Sequence, residues 1–184
     1  AQMIERSPSV GRSLRAVRDA VQEHWEVGTG RVVLKAPFGT AGRDAIRVEQ
    51  SELKPPEIAW VERTLATQGS VVVEAWYTRV MDVSFQFRVH ADGRFQGLGL
   101  TPFETDERGQ YRGSWVAPLG LRADPEQKAF LYRGKGGSWV QAALETLSQH
   151  LASHLAKQGF RGRAGVDAMV VRLPCGALKL RAPL

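Results

Sequence analysis

The sequence predicts an α+β fold of two small lobes, each built on an antiparallel sheet. Three observations carry this. The chain has 184 residues, 43% hydrophobic and 24% charged, which suits one domain or two small lobes sharing one site. Short apolar runs bounded by glycine and proline read as strands in hairpins, with Asp92-Gly93 as a tight-turn signal. Segments of helical periodicity interrupt these hairpins instead of alternating with single strands, which argues against a parallel, doubly wound sheet.

The elements follow in order. Residues 1–11 are polar and turn-rich and read as a loose entry. Ser13 caps a helix from Leu14 to Trp25, with Leu14, Val17, Val21 and Trp25 at helical spacing. Residues 31–36 form a short β-branched strand. The segment 37–43 (Pro-Phe-Gly-Thr-Ala-Gly-Arg) is a Gly-rich loop, and Ala45–Val48 returns across it. Pro55 and Pro56 open a helix over 57–68 that Gly69 stops. Residues 71–76 are the next strand, 83–90 alternates apolar and polar residues, and 94–101 returns antiparallel. Residues 105–112 read as a turn. Ser138 caps a long helix from Trp139 to Lys157, closed by Gly159. Residues 165–172 and 177–184 make a last hairpin around Pro174-Cys175-Gly176. The expected division places residues 1–70 in the first lobe and 71–184 in the second.

Composition narrows the function. The longest apolar runs are far shorter than the ~20 residues needed to span a bilayer, and no basic segment followed by an apolar stretch opens the chain. The single cysteine, Cys175, excludes an internal disulfide and a cysteine-built zinc site. A cytoplasmic protein is expected. The net charge of +6 suits nucleic acid, an anionic surface or a smaller polyanion such as a nucleotide. The basic residues are scattered, which makes nucleic acid the weaker reading.

Several residues stand out chemically. Lys35 ends an apolar strand and needs an anionic partner there, and the adjoining glycines let backbone N–H groups approach phosphate oxygens. A hairpin turn with a snorkelling lysine is the plainer alternative. Glu74 closes the run Val71–Val73 just before Trp76 and Tyr77, as a slot for adenine and ribose or as an edge-strand carboxylate beside core aromatics. Asp82 precedes a strand and either reaches a ribose hydroxyl or caps a turn. Asp167 lies in the apolar segment 164–171, where a buried carboxylate needs a metal or an ion pair with Arg161 or Arg163. His150 and His154 have the spacing of a helical metal pair but lack an acidic partner motif, so they read as solvent-facing. Cys175 has no basic activator nearby in sequence.

Taken together, three ordered segments resemble the ATP-grasp superfamily: 32–43, with the lysine strand and Gly-rich loop; 71–77, the hinge strand; and 165–170, a carboxylate-bearing strand. The resemblance spans most of the chain and implies two lobes enclosing a nucleotide cleft. It implies that Lys35 contacts the phosphates of ATP, and that Gly39, Thr40, Ala41 and Gly42 fold over them. It further implies that Glu74 and the backbone of Ala75, Trp76 and Tyr77 hold adenine, that Asp82 binds ribose and that Asp167 holds Mg²⁺. Family enzymes phosphorylate a carboxylate to an acylphosphate that an amine or other nucleophile attacks. Arg163 and Arg43 are the cations that would face that group. On this reading Lys35→Ala abolishes ATP affinity and spares the fold.

The resemblance departs at both ends. The family's Glu-x-Asn magnesium motif is expected where the chain stops, and its preceding domain has no counterpart ahead of Leu14, so the expectation is the central portion of a carboxylate–amine ligase. The alternative is a non-catalytic nucleotide-binding or interaction module of the same fold. The expected partners are ATP, a carboxylate and a nucleophile, with no membrane, and a homo-oligomer is compatible with the sequence.

Overall fold

A computed structural model describes residues 8–27, 30–39, 44–106, 109–134 and 137–182. The chain divides into two compact units, 1–78 with 106–110 and residue 184, and 79–105 with 111–183. Both are α+β with antiparallel sheets, as expected.

The first unit contains β1 (Ser9–Gly11), α1 (Leu14–Val27), β2 (Val32–Lys35), β3 (Ala45–Val48), α2 (Pro55–Gln68) and β4 (Val71–Ala75). Its sheet has the order β1-β4-β2-β3. Alternation divides the strand residues between two faces. Val32, Leu34, Val48, Val71 and Val73 join Val17, Ala20 and Val21 of α1 and Val61 of α2 in one core. The other face carries Val33 in register with Arg47 on β3 and with Glu74 on β4. Ser13 caps α1 by accepting from the Ala16 N–H at 3.2 Å. Gly69 ends α2 at φ 76°, a conformation that a side chain resists. β1 replaces the expected loose entry: its three residues pair with Val71–Val73 of β4. That pairing makes β4 an interior strand and puts it in the first unit, beyond the expected division after residue 70.

The second unit contains β5 (Thr78–Val89), β6 (Phe95–Thr105), β7 (Tyr111–Ser114), α3 (Pro125–Leu131), α4 (Trp139–Lys157), β8 (Gly162–Arg172) and β9 (Leu178–Arg181). Only Thr78 at the start of β5 groups with the first unit. The strand order is β7-β6-β5-β8-β9. Val83, Phe85, Phe87 and Val89 of β5 pack with Val140, Leu144 and Ala152 of α4, with Phe130 and Leu131 of α3, and with Ala168 and Val170 of β8. The opposite row of β5 is Asp82, Ser84, Gln86 and Arg88. The β5–β6 register shifts between Gln86 and Phe87, which face Gly99 and Gly97, so Leu98 is the extra residue. Gly99 takes φ 115° there, which explains glycine at the bulge.

Four features differ from expectation. β5 and β6 each run longer, because β5 residues 82–84 pair with β6 residues 101–103. β7 occupies part of the expected turn. α3 was not anticipated, although its Asp124 cap accepts from the Gln127 N–H at 2.8 Å and the Gln127 side chain returns the bond.

Arg172, at the end of β8, donates to both Glu126 oxygens at 2.9 and 2.7 Å, tying α3 to that strand. This hydrogen bonding holds the Glu126 carboxyl below its ordinary value of 4.5. A carboxyl lowered on folding stabilises the fold above its unfolded value, and the contribution disappears as pH falls through the folded value. Glu126→Gln is therefore expected to melt at a lower temperature than the parent at neutral pH. Thermal melts should show the difference closing below about pH 4, where carboxylates protonate.

Candidate functional site

In the first unit the sheet face opposite the helices carries a polar cluster. Lys35 lies opposite Val72, and Val33 lies opposite Glu74. Lys35 and Glu74 are thus diagonal neighbours on one face, close enough for long side chains to meet. Lys35 Nζ donates to Glu74 Oε2 at 2.6 Å. The lysine finds the anionic partner its position demanded, and Glu74 is an interior-strand carboxylate, not an edge one. An ammonium carries three N–H donors; the one bond to Glu74 orients Nζ, and the side chain stays 31% exposed. Glu74 is 9% exposed, and its Oε1 is buried without a hydrogen-bond partner among the described residues. Native folds rarely leave such an atom unsatisfied.

Trp76 follows β4, its backbone N–H donating to the Arg31 carbonyl at 2.9 Å. The Arg47 guanidinium lies 4.2 Å from the Trp76 ring centroid, a cation–π contact. Ala75 is buried and Tyr77 half-buried. Phe38 is 83% exposed, and its N–H is held by Gln68 Oε1 at 2.9 Å. Gly39 is exposed. Thr40, Ala41, Gly42 and Arg43 lie outside the described residues.

In the second unit the open row of β5 carries two clusters. Asp82 Oδ2 accepts from Thr105 Oγ1 at 2.7 Å, and Arg79 Nη1 stands 3.6 Å from the same oxygen. Arg79 also donates to Thr105 Oγ1 at 3.0 Å. Asp82 is therefore a braced carboxylate, not a turn cap. Further along, Ser84 Oγ donates to Asp167 Oδ1 at 2.5 Å and accepts from Gln86 Nε2 at 2.6 Å. A Cβ on Gly165 would stand 2.6 Å from Gln86 Nε2, so glycine leaves room for this chain.

Asp167 is not the buried carboxylate that its apolar surroundings in the sequence predict. Its strand is apolar, yet Asp167 itself is exposed, because alternation turns Ala168 and Val170 inward and Asp167 outward. Its partner is Ser84, not Arg161, which bonds the carbonyls of Ala91, Ala156 and Phe160. Arg163 is exposed on the same outward row.

A magnesium ion held by protein ligands alone does not fit these residues. No group of three His, Cys, Asp or Glu occurs among the described residues. Arg181 of β9 lies in register with Met169 of β8, two residues along the strand from Asp167. The histidine pair stays apart from any such cluster: His150 Nδ1 contacts the Thr146 carbonyl and His154 Nε2 accepts from Gln158, both exposed. Cys175 is exposed in its turn. No helix of the described residues is long and apolar enough to cross a membrane.

Residue-level reasoning missed Arg47, Ser84, Gln86 and Thr105. Alternation was the available signal, since Arg47 sits between Ile46 and Val48, and Ser84 and Gln86 sit between Val83, Phe85 and Phe87.

No protein-family model and no curated protein matches the sequence. Solved structures do match the fold. N5-carboxyaminoimidazole synthetase from Staphylococcus aureus, complexed with ADP, aligns at TM-score 0.57 and 14% identity over 96% of this chain and 39% of that one. D-alanyl-alanine synthetase A from Vibrio cholerae aligns at TM-score 0.57 and 10% identity over 96% and 48%. The biotin carboxylase domain of the Hydrogenobacter thermophilus 2-oxoglutarate carboxylase, in complex with MgADP, ADP and bicarbonate, aligns at TM-score 0.55 and 18% identity over 96% and 36%. This chain spans less than half the length of each of these proteins. At these identities the likeness is one of fold.

Proposed function

We propose that this chain, which has the ATP-grasp fold, binds ATP as the nucleotide-holding part of a carboxylate–amine type ligase that works through an acylphosphate. The observation that carries this reading is the Lys35–Glu74 cluster. A strand-end lysine is oriented by a carboxylate that keeps one buried oxygen without a donor. In this reading the two remaining Lys35 N–H groups face phosphate oxygens. Glu74 and the backbone of Ala75 to Tyr77 hold adenine, and Gly39 with Thr40, Ala41 and Gly42 covers the triphosphate. Asp82, braced by Thr105, accepts from a ribose hydroxyl.

The protein's contribution to transfer would be positioning and charge neutralisation. Arg163 and Arg43 are the cations proposed for the acyl phosphate. Asp167 supplies one carboxylate, so Mg²⁺ would arrive with the nucleotide and complete its shell with phosphate oxygens and water. A second reading, nucleotide binding without turnover, is favoured by the lack of a three-ligand acidic group among the described residues.

The test is calorimetric titration of the chain with ATP, with and without Mg²⁺. Saturable binding strengthened by Mg²⁺ is expected. Heats no larger than dilution under both conditions would remove the proposal. ADP formation on adding carboxylate and amine substrates would separate the ligase from the non-catalytic module.

A further inference from the structure

The connector 115–124 and the end of α3 build a separate surface in the second unit. Trp115 is held at its start, its backbone N–H donating to the Pro102 carbonyl at 2.8 Å. Leu119 and Ala123 turn into the core, and Leu121 between them is 67% exposed. Gly120 lies flat on Tyr132, because a Cβ there would stand 2.9 Å from the tyrosine ring. That contact sets Leu121 and Arg122 beside Tyr132 and Arg133. Each arginine is stacked on a tryptophan: the Arg122 guanidinium stands 3.4 Å from the Trp115 ring centroid, and the Arg133 guanidinium 3.8 Å from that of Trp139. Trp139 is held in turn, since its Nε1 donates to the Phe130 carbonyl and its ring meets Phe130 edge-on at 5.2 Å. Stacking fixes a guanidinium through its face and leaves its N–H edge for a bidentate acceptor. Both arginines are exposed, and neither has a hydrogen bond or an ion pair among the described residues. The carboxylates nearest in sequence are occupied: Asp124 caps α3, and Glu126 pairs with Arg172. Val116, next to Trp115, is fully exposed. Exposed apolar side chains clustered with unpaired arginines mark a contact surface.

We propose that this surface docks an acidic protein segment, whose carboxylates take the N–H edges of Arg122 and Arg133 while its apolar side chains cover Leu121 and Val116. Charge complementarity carries the choice of partner, in a chain of net charge +6. A nucleic-acid strand fits less well. Its bases stack on open aromatic faces, whereas the guanidinium groups cover one face of Trp115 and one of Trp139. Two of the three exposed apolar side chains, Val116 and Leu121, are aliphatic. The proposal does not depend on the nucleotide reading.

The test is fluorescence anisotropy of a short labelled peptide in which leucines alternate with pairs of glutamates. It is titrated with the parent chain, with the Arg122→Gln, Arg133→Gln double variant and with Leu121→Ser, and thermal melts confirm that each is folded. A glutamine version of the peptide and a labelled oligothymidylate are the comparisons. The parent is expected to bind the glutamate peptide saturably, more weakly as salt rises, and about tenfold or more tighter than the glutamine peptide. The double variant is expected to lose about tenfold or more in affinity, and Leu121→Ser about threefold or more. The corresponding double lysine variant, Arg122→Lys with Arg133→Lys, keeps both charges without the stacked fork. It is expected to bind more weakly than the parent, and it serves if the glutamine variant does not fold. No saturable binding to the parent, or equal affinity for the parent and the folded double variant, would overturn the proposal. So would oligothymidylate bound more tightly than the glutamate peptide and lost in the double variant, the result expected of a nucleic-acid surface.

Discussion

Lys35→Ala is expected to destabilise the chain by about 2–3 kcal/mol and to lower ATP affinity about a hundredfold or more. The stability loss arises because Glu74 is nearly buried and its Oε2 loses the ammonium it is bonded to. Breaking a buried pair from one side costs about 3–5 kcal/mol, and the partial exposure of Lys35 reduces that. This revises the expectation from sequence that the variant would spare the fold: the lysine's first partner is a neighbouring strand. A double variant, Lys35→Met with Glu74→Leu, removes both charges and is expected to recover most of the stability while binding no ATP. Urea denaturation and calorimetry on the three proteins read the two effects separately. A single variant as stable as the parent would mean that Glu74 does not depend on this pair.

Phe87→Ala is expected to cost about 3–5 kcal/mol, the range for deleting a fully buried aromatic side chain. Phe87 is 0% exposed in the second unit's core, and its ring lies 5.7 Å from that of Phe95. It also follows the β-bulge directly after Gln86, so its burial anchors the register that aims Ser84 and Gln86 outward. Leu98→Ala, at the extra residue of the same bulge, removes a side chain that is 45% exposed and should cost less than about 1 kcal/mol. Urea denaturation of both variants checks the contrast; similar losses would contradict the placement of the core.

What the sequence made legible follows from the strength of local signals. The helix from Trp139 to Lys157 was readable because a serine cap, a long apolar period and a closing glycine agree. The hairpin across 37–43 was readable from one β-branched strand and its return. β1 was not, since three residues show no period and exist as a strand only through pairing with β4. β7 contains a glycine and is held by β6. α3 was within reach, as Asp124-Pro125 followed by Gln127 is a helix start, but its seven residues are too few to show periodicity. At the site, Lys35, Glu74, Asp82 and Asp167 each stood out as polar residues at the ends or middles of apolar runs. Their partners did not: Thr105 and Ser84 are ordinary strand residues until register places them against carboxylates. Arg47 was invisible for the same reason, because only the register across β3, β2 and β4 sets it beside Trp76.

The central claim is that the sheet face around Lys35 and Glu74 holds a nucleotide. Amide hydrogen exchange of the full chain with and without ADP tests it most directly, because it reports where binding occurs. The account predicts slowed exchange in segments 31–38 and 71–77 on adding ADP, and loss of that protection in the Lys35→Met, Glu74→Leu double variant. Saturable ADP binding that leaves both segments unprotected, or protects them equally in the double variant, would contradict it.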